Sequence, residues 1–161
     1  MGKLATKPHP NKTLYDADFF EWTQDQARLL RERRWDDLDL ENLIEEVKSV
    51  GGSNKREIES RLVALMAHLL KWKYQPGLRS SGWRGTISEQ RFRIGLVIRD
   101  SPSLRGYPSD VLREQYLAAR LRASKETGID FTVFPEECPF TVEQVLDDDF
   151  LPKEPDLLDQ S

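Results

Sequence analysis

One cysteine, two histidines and no long apolar run set the first limits on this chain of 161 residues. The lone Cys138 allows no internal disulfide, so a reducing, cytoplasmic setting is the expectation. No apolar stretch approaches the roughly 18 residues that a membrane span needs, and membrane association is not expected. The N-terminal MGKLATKPHPNKTL lacks the apolar core of a signal peptide. Gly2 and Thr6 match a short myristoylation pattern that nothing else in the chain supports. Gly-rich phosphate loops, serine nucleophile elbows and zinc-type spacings are missing, so no cofactor and no metal is expected. Cys138 lacks a nearby basic residue and sits beside acids, which argues against a nucleophilic thiolate. Strand signals are nearly absent too, apart from FTVF at 131–134.

What is present is charge and helical rhythm. Charged residues make up 32% of the chain and apolar residues 38%; seven Phe, four Trp and four Tyr still supply enough large side chains for a core. The net charge of −4 conceals an asymmetry, with residues 1–125 at +6 and residues 126–161 at −10. A basic body with an acidic end points to electrostatic partnering, within the chain or outside it.

Residues 1–13 read as a flexible arm and residues 14–152 as one helical domain, with an acidic tail at 153–161. The first helix is predicted to start at Asp18, with Glu21 three residues on, and to present Phe19, Trp22, Gln26, Leu29 and Leu30 on one face. A second follows Asp39 as N-cap, with Leu40, Leu43, Ile44, Val47 and Val50 as its face. GGSN at 51–54 is expected to break the chain. The apolar rhythm continues through it, however, to Ile58, Leu62, Leu65 and Leu69. Residues 54–74 form the most apolar helix, stopped by Pro76-Gly77.

A fourth helix, about 81–100, turns Trp83, Ile87, Ile94 and Ile98 inward. A fifth, about 109–127, carries Ala118, Ala119 and Ala123 for close packing and stops at Gly128. A short helix capped by Thr141 and Gln144 closes the pattern. The expected class is all-α: an antiparallel helical bundle of about five main helices with a short C-terminal helix.

Alternating helix directions would gather basic and aromatic residues at one pole, centred on AHLLKWKYQPGLRSSGW at 67–83. The candidate binding residues are Lys71, Trp72, Lys73, Arg79, Trp83 and Arg84, joined in this arrangement by Arg33, Arg34, Trp35, Tyr74, Arg122 and Lys125. Such a surface can dock an acidic protein or track the phosphates of a nucleic acid. The same residues are also what helix C-termini favour without any ligand. The acidic tail offers a third role, folding over the pole and neutralising it.

A hairpin at GGSN would set His68 level with Asp36 or Asp37, the one candidate acid–base pair. Glu45 and Glu46 do not fit the Glu-x-x-His spacing of di-metal bundles with His68, and read as a solvated face beside Lys48 and Arg61. The leading expectation is therefore a non-catalytic interaction module; the alternatives are an enzyme using His68 and a purely structural oligomer subunit.

Several blocks in order carry a family resemblance: LYDADFFEW, LDLENLIEEVKSVG, ESRLVALMAHLLKWKYQP, GWRGTISEQR, SPSL, FPEECPF and DFLP. In these the chain resembles a bacterial family catalogued as domain of unknown function twenty-nine, over about 14–152. One departure is Gly82, which separates Ser81 from Trp83 where the family pattern has a Ser directly before the tryptophan. The resemblance implies a single helical domain and no particular activity, cofactor or partner.

Overall fold

The computed structural model describes residues 10–155, with side chains from Leu14 onward. The arm through residue 9, with Gly2, Thr6 and His9, and the acidic end with Asp156 and Asp159 lie outside the described residues. Six α-helices follow one another among the described residues: α1 Pro10–Ala17, α2 Phe19–Arg31, α3 Leu40–Tyr74, α4 Ser81–Asp100, α5 Tyr107–Thr127 and α6 Val142–Leu146. Among the described residues there is no strand. The FTVF segment forms a 3-10 turn over Phe131–Val133. The protein is an all-α helical bundle, and it packs as two compact units, the first ending at Gly52 and the second beginning at Ser53.

The first unit corrects two expectations. Residues 10–13, read as arm, belong to α1. The face of Leu40, Ile44, Val47 and Val50 is exposed, Val47 and Val50 by about 70% each. The centre of this unit is instead a polar-aromatic knot. Asp18 caps α2 by accepting from the Glu21 amide (2.9 Å), which seats Trp22, Gln26 and Leu29 inward. Trp22 Nε1 and Asn42 Nδ2 both donate to the buried Asp39 carboxylate (3.2 and 2.7 Å). Gln26 Oε1 accepts the Asp39 amide at 2.8 Å. Asp39 therefore joins α2 to the start of α3. Glu45 pairs with Lys48 (3.1 Å), as expected of a solvated face.

The break expected at GGSN does not form; α3 runs unbroken for 35 residues. Glycine in a helix costs about 1 kcal/mol relative to alanine, too little to end a helix that continues apolar packing on its far side. Within α3, Asn54 Nδ2 donates to Ser101 Oγ (3.2 Å).

The second unit is built on the C-terminal half of α3. Ile58, Leu62, Leu65, Met66, Ala67, Leu69 and Leu70 are all fully buried, as the apolar arc predicts. Ile87 and Ile94 of α4 pack on them, as do Tyr116, Ala119 and Ala123 of α5, together with Phe134, Phe140 and Val145. Ala118, expected in that contact, is exposed. Ser80 caps α4 by accepting from the Trp83 amide (3.2 Å). Gly128 ends α5 in the left-handed conformation (φ 73°), which glycine adopts without strain. Thr141 and Gln144 form the full capping box of α6.

Candidate binding surface and cavity

An unbroken α3 changes what its ends bring together. Arg33, Arg34 and Trp35 precede its N-terminal end, whereas Lys71, Trp72 and Lys73 close its C-terminal end. The hairpin at GGSN on which the expected single basic pole rests does not form, and the two groups belong to different compact units.

In the second unit, five of the six candidate binding residues do form one cluster. The Lys71 ammonium lies over the Trp83 ring (4.8 Å) and pairs with Glu126 (3.0 Å). The Arg79 guanidinium lies over the Trp72 ring (5.2 Å), and its Nε donates to the Trp72 carbonyl (2.8 Å). Arg84 approaches the same ring at 5.9 Å. Such cation–π contacts fix long side chains against aromatic faces while leaving charge near solvent. Lys73, one residue on from Trp72, instead lines a separate cavity with Tyr74, Arg120, residues 132–136 and Pro139.

Part of the acidic segment lies on this surface. Glu154 pairs with Arg79 (3.6 Å). Asp148 and Asp149 line a small cleft with Arg84 and Arg91. Arg91 holds the segment in place. Its Nε donates to the Val145 carbonyl (2.9 Å) and its Nη2 to the Phe150 carbonyl (2.9 Å). Longer bonds reach Gln144 and Asp148 (3.3 and 3.4 Å). Burial pulls the Arg91 pKa down, against the raising influence of Asp148, Asp147 and Asp149.

Sequence reasoning did not single out Arg91, although its register announces it. It stands between Ile87 and Ile94 on the inward stripe of α4, where a charge needs a built partner. Arg120 was missed in the same way, one turn on from the buried Tyr116 in α5.

His68 is buried, and its Nδ1 lies 2.9 Å from the Ala64 carbonyl. A carbonyl oxygen only accepts, so Nδ1 carries the proton. Burial lowers the His68 pKa first, against the raising influence of the Ala64 bond and of Glu126, with Lys71 and Arg122 acting in the same direction as burial. The hairpin that would have set Asp36 or Asp37 beside His68 is absent, because α3 is one helix. Asp37 instead pairs with Arg34 at 2.8 Å. The Cys138 pKa is raised, chiefly by burial rather than by its flanking acids. Its Sγ lies 3.9 Å from Met66 Sδ. No helix among the described residues is long and apolar enough to cross a membrane, and no three His, Cys, Asp or Glu side chains among them converge as metal ligands.

The fold and surface thus define a small all-α protein with a cation–aromatic cluster and an acidic segment seated against it. The chain belongs to the family described as Domain of unknown function DUF29, whose profile matches residues 14–151. No curated protein and no solved structure matches it.

Proposed function

We propose that the protein is a non-catalytic cytoplasmic interaction module whose Lys71, Trp72, Arg79, Trp83 and Arg84 surface receives an acidic segment of a protein partner. One observation carries this reading: the chain's own acidic segment occupies the edge of that surface, with Glu154 on Arg79 and Asp148 and Asp149 beside Arg84. A surface that accommodates carboxylates in cis has the charge and the aromatic ledges to accept them in trans. The acidic segment is then a built-in competitor. It lowers affinity for weakly acidic partners and raises the threshold for binding.

The test is fluorescence anisotropy of a labelled glutamate-rich peptide and of a labelled single-stranded oligonucleotide, at low and moderate salt. The proteins compared are the wild type, a variant with Asp147, Asp148, Asp149 and Glu154 replaced by their amides, and Arg84→Glu. The expected result is peptide binding that is tighter in the amide variant, falls with salt and is lost in Arg84→Glu. Binding of the oligonucleotide alone would reassign the surface to nucleic acid. Binding of neither probe by any of the proteins would overturn the reading.

A further inference from the structure

The two buried arginines of the second unit are treated in opposite ways. Arg91 has four carbonyl acceptors around its guanidinium. Arg120 is only 7% exposed, yet its Nε is buried with no hydrogen-bond partner. No carboxylate among the described residues forms an ion pair with it. The Phe131 ring lies against it, with its centroid 3.9 Å from the guanidinium carbon. An arginine cannot shed its charge at any physiological pH. Burying it with an unsatisfied donor is costly, and stacking on one ring offsets only part of that.

Arg120 lines a cavity of about 470 Å³ together with Lys73, Tyr74, Phe134 and Glu136. Lys73, the second cation of that wall, likewise has no ion-pair partner among the described residues. With Glu136 the lining carries a net charge of +1, which suits one oxyanion rather than a polyanion.

The cavity is held open by contacts that do not involve its cations. Asp130 accepts from the Thr132 amide (2.8 Å) and fixes the turn at Phe131–Val133. Tyr116 Oη donates to the Pro135 carbonyl (2.7 Å), and Ser124 Oγ to the Ile129 carbonyl (2.7 Å). Phe134 is buried edge-to-face on Tyr74 (5.0 Å). A loop anchored at so many points presents a pre-formed site, and a ligand entering it loses little to loop ordering.

We propose that this cavity binds a small organic oxyanion, a carboxylate or a phosphate ester, through the Arg120 guanidinium with Lys73 as second cation. The Phe131 ring lies over the guanidinium, whose planar fork is of the kind that carboxylate and phosphate oxygens match. Neither Trp72 nor Arg84 lines this cavity, so the site is independent of the surface proposed for an acidic partner.

The test is an NMR titration of isotope-labelled protein with inorganic phosphate and, separately, with citrate, each at constant ionic strength set by sodium chloride. The expected result is a saturable shift of the Thr132, Val133, Phe134 and Glu136 amides and of Arg120 Nε–H, with a Kd of about 1 mM or tighter. Saturation by phosphate alone assigns a phosphate ester as the ligand class, and saturation by citrate alone assigns a carboxylate. Arg120→Met keeps the stem, loses the fork and is expected to weaken binding at least about tenfold. Lys73→Gln, on a half-buried position, folds irrespective of the fate of Arg120 and is expected to weaken binding by about threefold. Shifts that never saturate with either ion would overturn the proposal. So would a Kd unchanged in Arg120→Met, or in Lys73→Gln should the methionine variant not fold.

Discussion

Replacing Arg91 with Met would test how the C-terminal segment is held. The substitution keeps most of the buried stem and removes the group that ties α4 to the carbonyls of Val145, Phe150, Gln144 and Asp148. The two bonds at 2.9 Å carry most of the energy, and a hydrogen bond from a charged donor contributes about 1.5–3 kcal/mol. Against a gross loss of about 3–6 kcal/mol stands relief from burying a guanidinium, so the net cost should be about 2–3 kcal/mol. Unfolding entropy near 2.1 cal/mol/K per residue then converts this to a fall in Tm of about 6–9 °C for a chain of this size.

Arg91→Lys is the informative companion, because it keeps the charge and loses the fork. It should cost nearly as much, since one ammonium cannot reach acceptors spread from Gln144 to Phe150. Urea denaturation gives the stability, and amide exchange at Val145 and Phe150 locates the effect. If Arg91→Met lies within about 2 °C of wild type with the protection of those amides unchanged, the inference that Arg91 pins this segment is wrong.

Further expectations follow from burial, backbone and titration. Leu65→Ala should cost about 2–5 kcal/mol in urea denaturation, because Leu65 is fully buried; Val47→Asn, on the exposed stripe of α3, should stay within about 0.5 kcal/mol. Gly51→Ala should stabilise the protein by about 0.5–1 kcal/mol, since Gly51 is helical and a Cβ there meets open space; a loss of stability would mean the helix is interrupted at that point. The folded-state pKa of His68 lies below its unfolded value of about 6.5, so the unfolded chain binds the extra proton in the window between them. The His68 contribution is complete above about pH 6.5 and is lost as pH falls. Urea midpoints at about pH 7.5 and 5.5 should therefore differ more in wild type than in His68→Gln. Glu126, held low chiefly by its bond from Arg122, adds its own loss only at more acidic pH.

Much of this protein was legible from residue order. The apolar arc from Ile58 to Leu70 predicts the central helix, because a side chain repeating at three and four has to find other apolar side chains. Asp18, Gly128 and the Thr141–Gln144 pair predict their helix ends, because capping is a local hydrogen-bond exchange within one turn. The cation–aromatic cluster was legible too, as Lys71, Trp72, Arg79, Trp83 and Arg84 come from two helix ends joined by a short turn.

Other features were decided only by tertiary structure. Whether Gly51 and Gly52 end a helix depends on what packs beyond them, a contest between about 1 kcal/mol of propensity per glycine and the burial of a whole apolar face. That contest removes the hairpin on which the expected pairing of His68 with Asp36 or Asp37 rests. Arg91 and Arg120 are alike in sequence, each on the edge of an apolar stripe. Only the folded chain gives the first a ring of carbonyls and leaves the second stacked on Phe131 with a buried donor unmet. Local order sets which residues must leave water, and packing sets what each of them meets when it does.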